Sequence, residues 1–355
     1  MLTTEAFGGH GGIAKYNRDF ISALCAMPEC REVVALPRLM PYEPGPLPTK
    51  LRYVLSGLSG KWRYAFEAVR AARGRYDLIV CSHINLLPVA SLMKLWLRTP
   101  IVLLIYGIDA WRPHGSKFVN ILLRCVKAVI SISEHTREKF CMWAPLRANR
   151  VHILPNAIDL AQYGMGAKNP VLLQRYGLTD KVVLMTLGRL SRDERYKGID
   201  EVLELFPSLL KRYPNLVYLI VGDGTDRSRL EKEVSALGIT GSVVFTGLIP
   251  ESEKADHYRL ADAYVMPGRG EGFGFVFLEA MACGIPVVAS KLDGSREAVR
   301  NGELGIVVNP DDRAELEAGI LRALATERQI PKGVDYFSYG NFVQRLRDIV
   351  LRVSQ

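Results

Sequence analysis

Two glutamates stand eight positions apart in a glycine-rich stretch that reads GRGEGFGFVFLEAMACGIPVVAS over residues 268–290. The letters from Phe275 onward have the composition of a helix that ends at Gly284. A helix that follows a loop leaves backbone N–H groups unpaired at its positive end, which favours phosphate or a hydroxyl-bearing ligand. Glu271 would lie at the mouth of this helix, and Glu279 more than one turn inside it. Carboxylates at two depths suit hydrogen bonds to separate hydroxyl groups of one polyol ligand.

A second cluster, LGRLSRDERYKG at 187–198, also follows an apolar run. Arg189 would stand at the end of a strand and Lys197 at the start of the next helix. A planar guanidinium together with a compact ammonium suits a diphosphate. Either cation alone would more often be an ordinary exposed charge, so their meeting in space decides between the two interpretations.

A third feature, GGHGGIAKY at 8–16, opens the first predicted helix with four glycines. Residues 9–14 match the dinucleotide-binding pattern GxGxxA, which is a weak signal by itself. The following strand, VVALP, ends without the acid that would bind a ribose in that class of site. A glycine loop at a helix start still makes a cradle for an anion.

Short apolar runs alternate with amphipathic helical patterns along almost the whole chain, and they must position these clusters. The runs are rich in Val, Ile and Leu on both faces, which is typical of parallel strands covered by helices on both sides. The predicted strands are 32–37, 77–82, 100–106, 128–133, 150–155, 182–188, 216–222, 243–247, 263–268, 286–290 and 305–309. The predicted helices include 11–26, 61–73, 198–213, 226–237 and 312–325.

The pattern restarts after a polar segment near 156–180, which indicates a link between two domains. We therefore expect an α/β fold with two doubly wound, Rossmann-like domains, residues 1–157 and 158–337, and a C-terminal segment, 338–355. Ligands of such sheets bind outside the carboxyl ends of the strands, so two facing domains would place the site in an interdomain cleft.

The charge of the chain is unevenly distributed. The net charge is +9, but residues 1–157 carry 21 Lys and Arg against 10 Asp and Glu, whereas the remainder is near neutral. This asymmetry favours an anionic partner for the first half: nucleic acid, a membrane surface or a phosphorylated substrate. The segment 50–75 mixes seven basic residues with aromatic ones, as in a basic amphipathic helix on a membrane surface or in a solvated helix face.

Other features of the sequence argue against several classes of protein. No apolar run reaches the roughly 18 residues that span a bilayer, and the first residues lack the pattern of a signal peptide. The cysteines form no CxxC pair, which disfavours zinc. The aromatic residues form no stacking platform of a nucleic-acid-binding module, so nucleic acid is not expected as a partner.

These features together resemble the retaining GT-B glycosyltransferases of family 4 (glycosyl transferases group 1), over nearly the whole chain. The resemblance is carried by the GGxGG loop, by ILPNAID at 153–159, by GRL…KG, and above all by the long EGFGFVFLEAMACGIPVV motif with its two glutamates. It implies two Rossmann-like domains that close around the site, with the last helix, 339–353, returning to the first domain.

The resemblance also implies a role for each matching residue. Glu271 would contact the hydroxyls of a donor sugar, and Glu279 the ribose, while Arg189 and Lys197 would hold the diphosphate. The donor site would comprise Gly11, Gly12, Arg189, Lys197, Leu248, Glu271, Phe273, Gly274, Phe275 and Glu279. The acceptor side would comprise Gly9, His10, Tyr106 and His114.

The chain departs from the family pattern at one position that matters for chemistry. Family members often carry a histidine in the loop after the fourth strand, where this chain reads LLIYGIDAW and places Tyr106. Asp109 or His114 could supply the polar contact instead. The candidate catalytic residues are therefore Glu271, Arg189, Lys197 and Asp109.

The resemblance implies transfer of a hexose from a UDP- or GDP-sugar to a glycan or a lipid-diphosphate-linked acceptor, with retention and without a metal or other cofactor. Such chemistry belongs to bacterial-type surface polysaccharide or glycolipid synthesis, in the cytoplasm, peripherally on the inner face of the membrane. Two alternatives stay open: a catalytically silent sugar-nucleotide-binding subunit, which the Tyr106 substitution allows, and a nicotinamide-dependent oxidoreductase built on GxGxxA.

Overall fold

The computed structural model describes residues 1–354 as an alternation of parallel strands and helices. Gln355, the last residue of the predicted C-terminal segment, lies outside the described residues. The strands are β1 (Leu2–Thr3), β2 (Val33–Pro37), β3 (Leu51–Tyr53), β4 (Ile79–Cys81), β5 (Ile101–Ile105), β6 (Val126–Ser131), β7 (Val151–Ile153), β8 (Val182–Leu187), β9 (Leu216–Val221), β10 (Val243–Gly247), β11 (Ala263–Val265), β12 (Val287–Ser290) and β13 (Ile306–Val308).

The α-helices that connect these strands are mostly short. They are α1 (Gly12–Ala26), α2 (Lys61–Ala71), α3 (Leu87–Leu97), α4 (Lys117–Leu122), α5 (Glu134–Cys141), α6 (Pro170–Tyr176), α7 (Ile199–Arg212), α8 (Arg227–Ala236), α9 (Lys254–Leu260), α10 (Phe275–Ala282), α11 (Ser295–Ala298), α12 (Arg313–Leu324) and α13 (Tyr339–Ser354). Short 3₁₀ turns complete several loops, including Arg192–Lys197.

The chain forms two compact units. The first comprises Met1–Ala157 together with α13, and the second comprises Ile158–Ser338. Each holds one sheet, with the order β3-β2-β1-β4-β5-β6-β7 in the first unit and β10-β9-β8-β11-β12-β13 in the second. Neighbouring strands pair in parallel throughout both sheets. The predicted α/β fold with two doubly wound sheets is confirmed.

The buried apolar residues explain why these segments form sheets. Strands such as Ile101–Ile105 and Leu216–Val221 are buried at every position, because helices cover both faces of each sheet. In the first unit α13 packs against α1, where the rings of Phe342 and Tyr16 meet edge-on with their centroids 5.7 Å apart. Each sheet has its own core, which agrees with two separate folding units.

The predicted helix 61–73 is confirmed as α2, whereas the part of the basic segment 50–75 that precedes it is not helical. Residues Leu51–Tyr53 form β3, and a 3₁₀ turn follows before α2 begins. Gly60 separates the turn from α2 with a φ of 151°, a backbone conformation that glycine adopts readily. Tyr64 points inward, and its hydroxyl donates to the carbonyl of Leu36 at 3.0 Å. The exposed aromatic side chains of this helix are therefore Trp62 and Phe66.

Candidate active site

Of the predicted donor residues, Gly11 and Gly12 belong to the first unit and the others to the second. Arg189, Lys197 and Glu271 gather at one edge of the second sheet, where the strand order reverses between β8 and β11. Connections leave these neighbouring strands in opposite directions, which opens a crevice at their carboxyl ends. The loops after the two strands touch there: the backbone N–H of Arg269 donates to the carbonyl of Tyr196 at 2.8 Å. Gly198 has a φ of 84°, and a side chain at this position would come within 2.5 Å of the carbonyl oxygen of Pro267. Glycine at 198 thus lets the two loops approach.

Arg189 and Lys197 meet in this crevice, and a carboxylate that the sequence prediction missed lies between them. The Lys197 ammonium is 2.7 Å from one oxygen of Glu194, and the Arg189 guanidinium pairs with the other. Lys197 is largely buried, whereas Arg189 is exposed. Burial lowers the pKa of Lys197, although the nearby Glu271 carboxyl opposes this effect. The two cations are therefore close enough to share one anion, and Glu194 is that anion in this structure.

Glu271 follows β11 and faces the same crevice as Lys197. Burial raises the pKa of the Glu271 carboxyl to about 7, and the neighbouring Asp293 adds to the rise. Lys197 and the backbone N–H groups of Gly272 and Phe273 act in the opposite direction. A carboxyl group with a pKa near 7 changes between hydrogen-bond donor and acceptor close to physiological pH.

Asp293 is a second residue that the sequence analysis missed. Its carboxylate is fully buried after β12 and accepts a hydrogen bond from the backbone N–H of Glu271 at 2.9 Å. Its other oxygen accepts from the backbone N–H and from the hydroxyl of Ser295. Burial raises the pKa of Asp293, and these hydrogen bonds act against the rise. Asp293 thus fixes the backbone that carries Glu271 and places a second carboxyl beside it.

The N-terminus of α10 borders Glu271, as the motif predicted. Gly274 precedes the helix with a φ of 93°, and no side chain caps the first turn. Phe273 is buried, and its ring packs edge-on against that of Phe337 at 5.5 Å. Because the Phe273 side chain is buried and Gly274 has none, these two residues can face a ligand only through their backbone. The direction of the N–H groups and of the helix dipole at this end favours a negative charge.

Glu279 is completely buried within α10, about one turn after the first residue of the helix. One of its oxygens accepts from the Lys254 ammonium and the other from the Tyr258 hydroxyl, both at 2.8 Å. Burial opposes the charge on Lys254, yet Glu279 and Glu251 outweigh this effect and raise its pKa. Each oxygen of Glu279 has the capacity to accept a further hydrogen bond. Its contact with a ribose stays a prediction.

Leu248 directly follows β10, and its side chain is 82% exposed. The preceding residue, Gly247, accepts a hydrogen bond at 3.1 Å from the backbone N–H of Gly222, at the end of β9. The Leu248 backbone thus lies at the carboxyl edge of the second sheet, the edge at which ligands of such sheets bind.

In the first unit, the glycine loop connects β1 to α1 at the carboxyl edge of the sheet. Gly9 is buried, whereas His10, Gly11 and Gly12 are exposed. The Arg18 guanidinium holds the loop by donating to the carbonyl of Gly9 at 2.8 Å. Gly11 has a φ of 87°, and a side chain there would meet no atom within 4 Å. Glycine is therefore favoured here by the positive φ and not by a lack of space.

The loop after β5 places the other predicted acceptor residues at different depths. The Tyr106 hydroxyl is buried and bonds to Asn17 of α1 at 2.7 Å, within the packed interior. Asp109 accepts from the backbone N–H of Tyr106, but its second oxygen is buried without a hydrogen-bond partner. Burial raises the pKa of Asp109 to about 7. His114 is partly exposed, and its Nδ1 accepts from the backbone N–H of Ser116. Of these three residues, Asp109 has the clearest unmet bonding capacity.

Two further properties of residues 1–354 bear on the expected chemistry. No group of three or more His, Cys, Asp or Glu side chains in this range is placed as a metal site. Within the same range, no helix has both the length and the apolar composition that a membrane span requires.

Comparison with protein families gives two matches that together span most of the chain. Residues 174–336 match the model of glycosyl transferases group 1, and residues 10–162 match that of glycosyltransferase family 4. The first match contains Arg189, Lys197, Glu271 and Glu279, and the second contains most of the glycine loop.

Curated relatives match about half of the chain. The GDP-mannose-dependent alpha-(1-6)-phosphatidylinositol monomannoside mannosyltransferase of Mycolicibacterium smegmatis is 35% identical over 209 residues, 57% of this chain and 54% of that protein. Alpha-D-kanosaminyltransferase of Streptomyces kanamyceticus is 30% identical over 57% of this chain and 52% of that protein. The chain thus spans about half the length of the curated relatives it matches.

Solved structures show the same fold over nearly the whole chain. The lipopolysaccharide outer core galactosyltransferase WaaB superposes with a TM-score of 0.74 at 17% identity, covering 99% of this chain and 98% of that one. Anabaena HepE in complex with UDP superposes with a TM-score of 0.71 at 22% identity, covering 99% and 97%.

Proposed function

Because the chain belongs to the family 4 glycosyltransferases of GT-B fold, we propose that it transfers a hexose from a nucleotide diphosphate sugar to a glycan or lipid-linked acceptor. The observation that carries this proposal is the meeting of Arg189, Lys197 and Glu271 at the strand-order reversal of the second sheet. Two cations and a carboxyl around one crevice suit a diphosphate that is bonded to a sugar.

The donor chemistry assigns a task to each group. Breaking the bond between the anomeric carbon and the phosphate oxygen leaves negative charge on the nucleoside diphosphate. Arg189, Lys197 and the N–H groups at the start of α10 would stabilise that charge, each preorganised donor contributing about 3 to 4 kcal/mol in a dry site. Because two protein cations face the leaving group, the proposed transfer needs no divalent metal.

We assign Glu271 to the hydroxyls of the donor sugar and Glu279 to the ribose. The proposed reaction proceeds with retention, and the leaving phosphate accepts the proton of the acceptor hydroxyl. Neither glutamate then acts as a nucleophile, a role that would need a second carboxyl about 5 Å away across the anomeric carbon. Asp109, with its unpartnered oxygen, and the exposed Gly9–Gly12 loop are assigned to the acceptor.

The donor base and the acceptor are proposed as classes. The donor is a UDP- or GDP-sugar, because one relative is a GDP-mannose-dependent mannosyltransferase and HepE, which has the same fold, binds UDP in its crystal structure. The acceptor is a glycan or lipid-diphosphate-linked saccharide in bacterial-type surface polysaccharide or glycolipid synthesis. We place the protein in the cytoplasm, bound peripherally to the inner face of the membrane. The excess of Lys and Arg in residues 1–157 favours this location, because basic residues are attracted to anionic lipids.

The decisive experiment removes the Glu271 carboxyl. The Glu271→Ala variant should lose sugar transfer, while UDP or GDP still raises its melting temperature as it does for the unchanged protein. Asp193→Asn serves as the control, because Asp193 is an exposed acid on the neighbouring loop. Full turnover by Glu271→Ala would refute the assigned role. A melting-temperature increase with NAD alone, in a screen of UDP, GDP, ADP and NAD, would refute the transferase proposal.

A further inference from the structure

Three helices of the first unit lie in one layer on the same side of its sheet. Helix α3 contacts both α2 and α4, so the three outer surfaces form one continuous face. Their inner sides supply the core beneath, through Tyr64 and Ala68 of α2, Ala90 and Met93 of α3, and Val119 of α4. The position of each helix relative to the sheet is therefore fixed by packing. We call the outer surface of these helices the α2–α4 face.

Large apolar side chains occupy the outer side of this layer, where a water-exposed helix normally carries polar residues. On α3, Leu95 is 77% exposed and Trp96 is 72% exposed. The apolar members of the α2–α4 face are Trp62, Phe66, Leu92, Leu95, Trp96, Phe118 and Ile121. The single charged residue of α3, Lys94, turns its ammonium to the carbonyl of Cys125 at 2.7 Å and so does not make this side polar.

The charges around these apolar side chains all have one sign. The exposed basic residues on the three helices and at their ends are Lys61, Arg63, Arg70, Arg73, Arg98, Lys117 and Arg124. The one carboxylate within α2, α3 and α4 is Glu67, which is buried and lies 3.6 Å from the guanidinium of Arg70. The α2–α4 face thus presents apolar side chains and positive charge without an exposed acid.

We propose that the α2–α4 face docks on the surface of an anionic lipid bilayer, with Leu95, Trp96 and Ile121 entering the boundary between headgroups and acyl chains. Apolar side chains surrounded by Lys and Arg match both layers of such a surface, since the cations meet lipid phosphates while the apolar groups leave water. Tryptophan favours this boundary because its ring is apolar and its N–H is polar.

A second copy of this chain is the other occupant that an exposed apolar face suggests. Two copies joined through the α2–α4 face would bring their seven exposed cations together without an exposed carboxylate from the three helices to neutralise them. Like charges at such an interface are unfavourable. Charge complementarity therefore favours lipid.

The proposal deepens the peripheral membrane association proposed above, because it names the residues that enter the lipid. It does not depend on the transfer chemistry, since every residue of the α2–α4 face lies in the first unit. Loss of vesicle binding and loss of donor binding can therefore be measured separately.

Vesicle binding by the full chain tests the proposal. We expect sedimentation with vesicles of phosphatidylcholine and phosphatidylglycerol, and little with phosphatidylcholine alone. The Leu95→Ser/Trp96→Ser variant should bind at least about tenfold more weakly, because two large side chains no longer leave water. Val171→Ser is the matched control, since Val171 is an exposed apolar residue of the second unit.

Insertion has its own readout. Acyl chains brominated near the headgroup should quench tryptophan fluorescence of the vesicle-bound protein, and Trp96→Phe should remove much of that quenching. The melting-temperature increase with UDP or GDP should persist in Leu95→Ser/Trp96→Ser, which shows that the variant is folded and separates this test from that of the donor site.

Three results would overturn the proposal. The first is an absence of binding to the anionic vesicles by the unchanged protein. The second is equal vesicle binding by the Leu95→Ser/Trp96→Ser variant. The third is a concentration-dependent dimer in solution that the same variant abolishes, because it would assign the α2–α4 face to a second copy of the chain.

Discussion

The Glu194 carboxylate lies 2.7 Å from the Lys197 ammonium and also pairs with Arg189, the other cation assigned to the donor diphosphate. An anion of the protein thus occupies the position expected for the anion of the ligand. A diphosphate that binds Arg189 and Lys197 must compete with Glu194 or move it aside. We therefore expect Glu194 to weaken donor binding, while it pairs with two cations that lie close together.

We expect Glu194→Gln to bind UDP or GDP more tightly, by about threefold to tenfold, because the competing charge is gone. Titration calorimetry at fixed ionic strength measures the change. Asp193→Asn, which removes an exposed charge one position away, should change the affinity little. Weaker binding by Glu194→Gln would instead mean that Glu194 holds the two cations in place for the diphosphate.

The raised pKa of Glu271 predicts a pH dependence of donor binding. With a pKa of about 7 in the free protein, Glu271 is mostly protonated at pH 6 and mostly ionised at pH 8. The ionised form accepts hydrogen bonds from sugar hydroxyls, so affinity for a nucleotide-sugar should rise between these pH values, by up to about tenfold. In Glu271→Gln this rise should disappear. A wild-type affinity that is flat from pH 6 to pH 8 would contradict the assignment.

Asp293 should act on Glu271 through its charge as well as through its hydrogen bond. Because Asp293 raises the pKa of Glu271, Asp293→Asn should move the midpoint of the pH dependence to lower pH. The amide oxygen can still accept from the backbone N–H of Glu271, so the loop should keep its conformation. Asp311→Asn is the control, since Asp311 bonds to Arg269 on the same loop. An unchanged midpoint in Asp293→Asn would restrict Asp293 to a structural role.

The sequence predicts the fold well because the buried strands are continuous runs of Val, Ile and Leu. All the strand runs named from the sequence form strands, with ends that differ by a few residues. The short strand β3 escaped prediction, since three residues give no measurable periodicity. Helix α3 escaped as well, because LPVASLMKLWL is apolar nearly all round and lacks an amphipathic pattern.

The donor-site residues divide into those that directly follow a strand, which the sequence located, and those that it missed. Arg189 and Glu271 each follow a strand, and strand ends meet at one edge of a parallel sheet, so the sequence can place them together. Glu194 lies three positions before Lys197 on the same 3₁₀ turn, and this spacing of an acid and a base is the signal that could have found the pair. Asp293 depends on which loops touch after folding, and no spacing in the chain reports that contact. The Asp-Gly pair at 293–294 after a strand is its one local signal, and it indicates only a turn.

The buried pair formed by Lys254 and Glu279 predicts a large effect on stability. Lys254→Met removes the ammonium that pairs with the Glu279 carboxylate, which is fully buried and keeps the hydrogen bond from the Tyr258 hydroxyl. Breaking a buried ion pair on one side typically costs about 3 to 5 kcal/mol, whereas replacing both partners by apolar residues costs much less. The Lys254→Met/Glu279→Met double variant should therefore be more stable than Lys254→Met. Urea unfolding measures both, with the exposed Lys232→Met as control. If Lys254→Met unfolds at the wild-type urea concentration, Lys254 does not compensate the charge of Glu279.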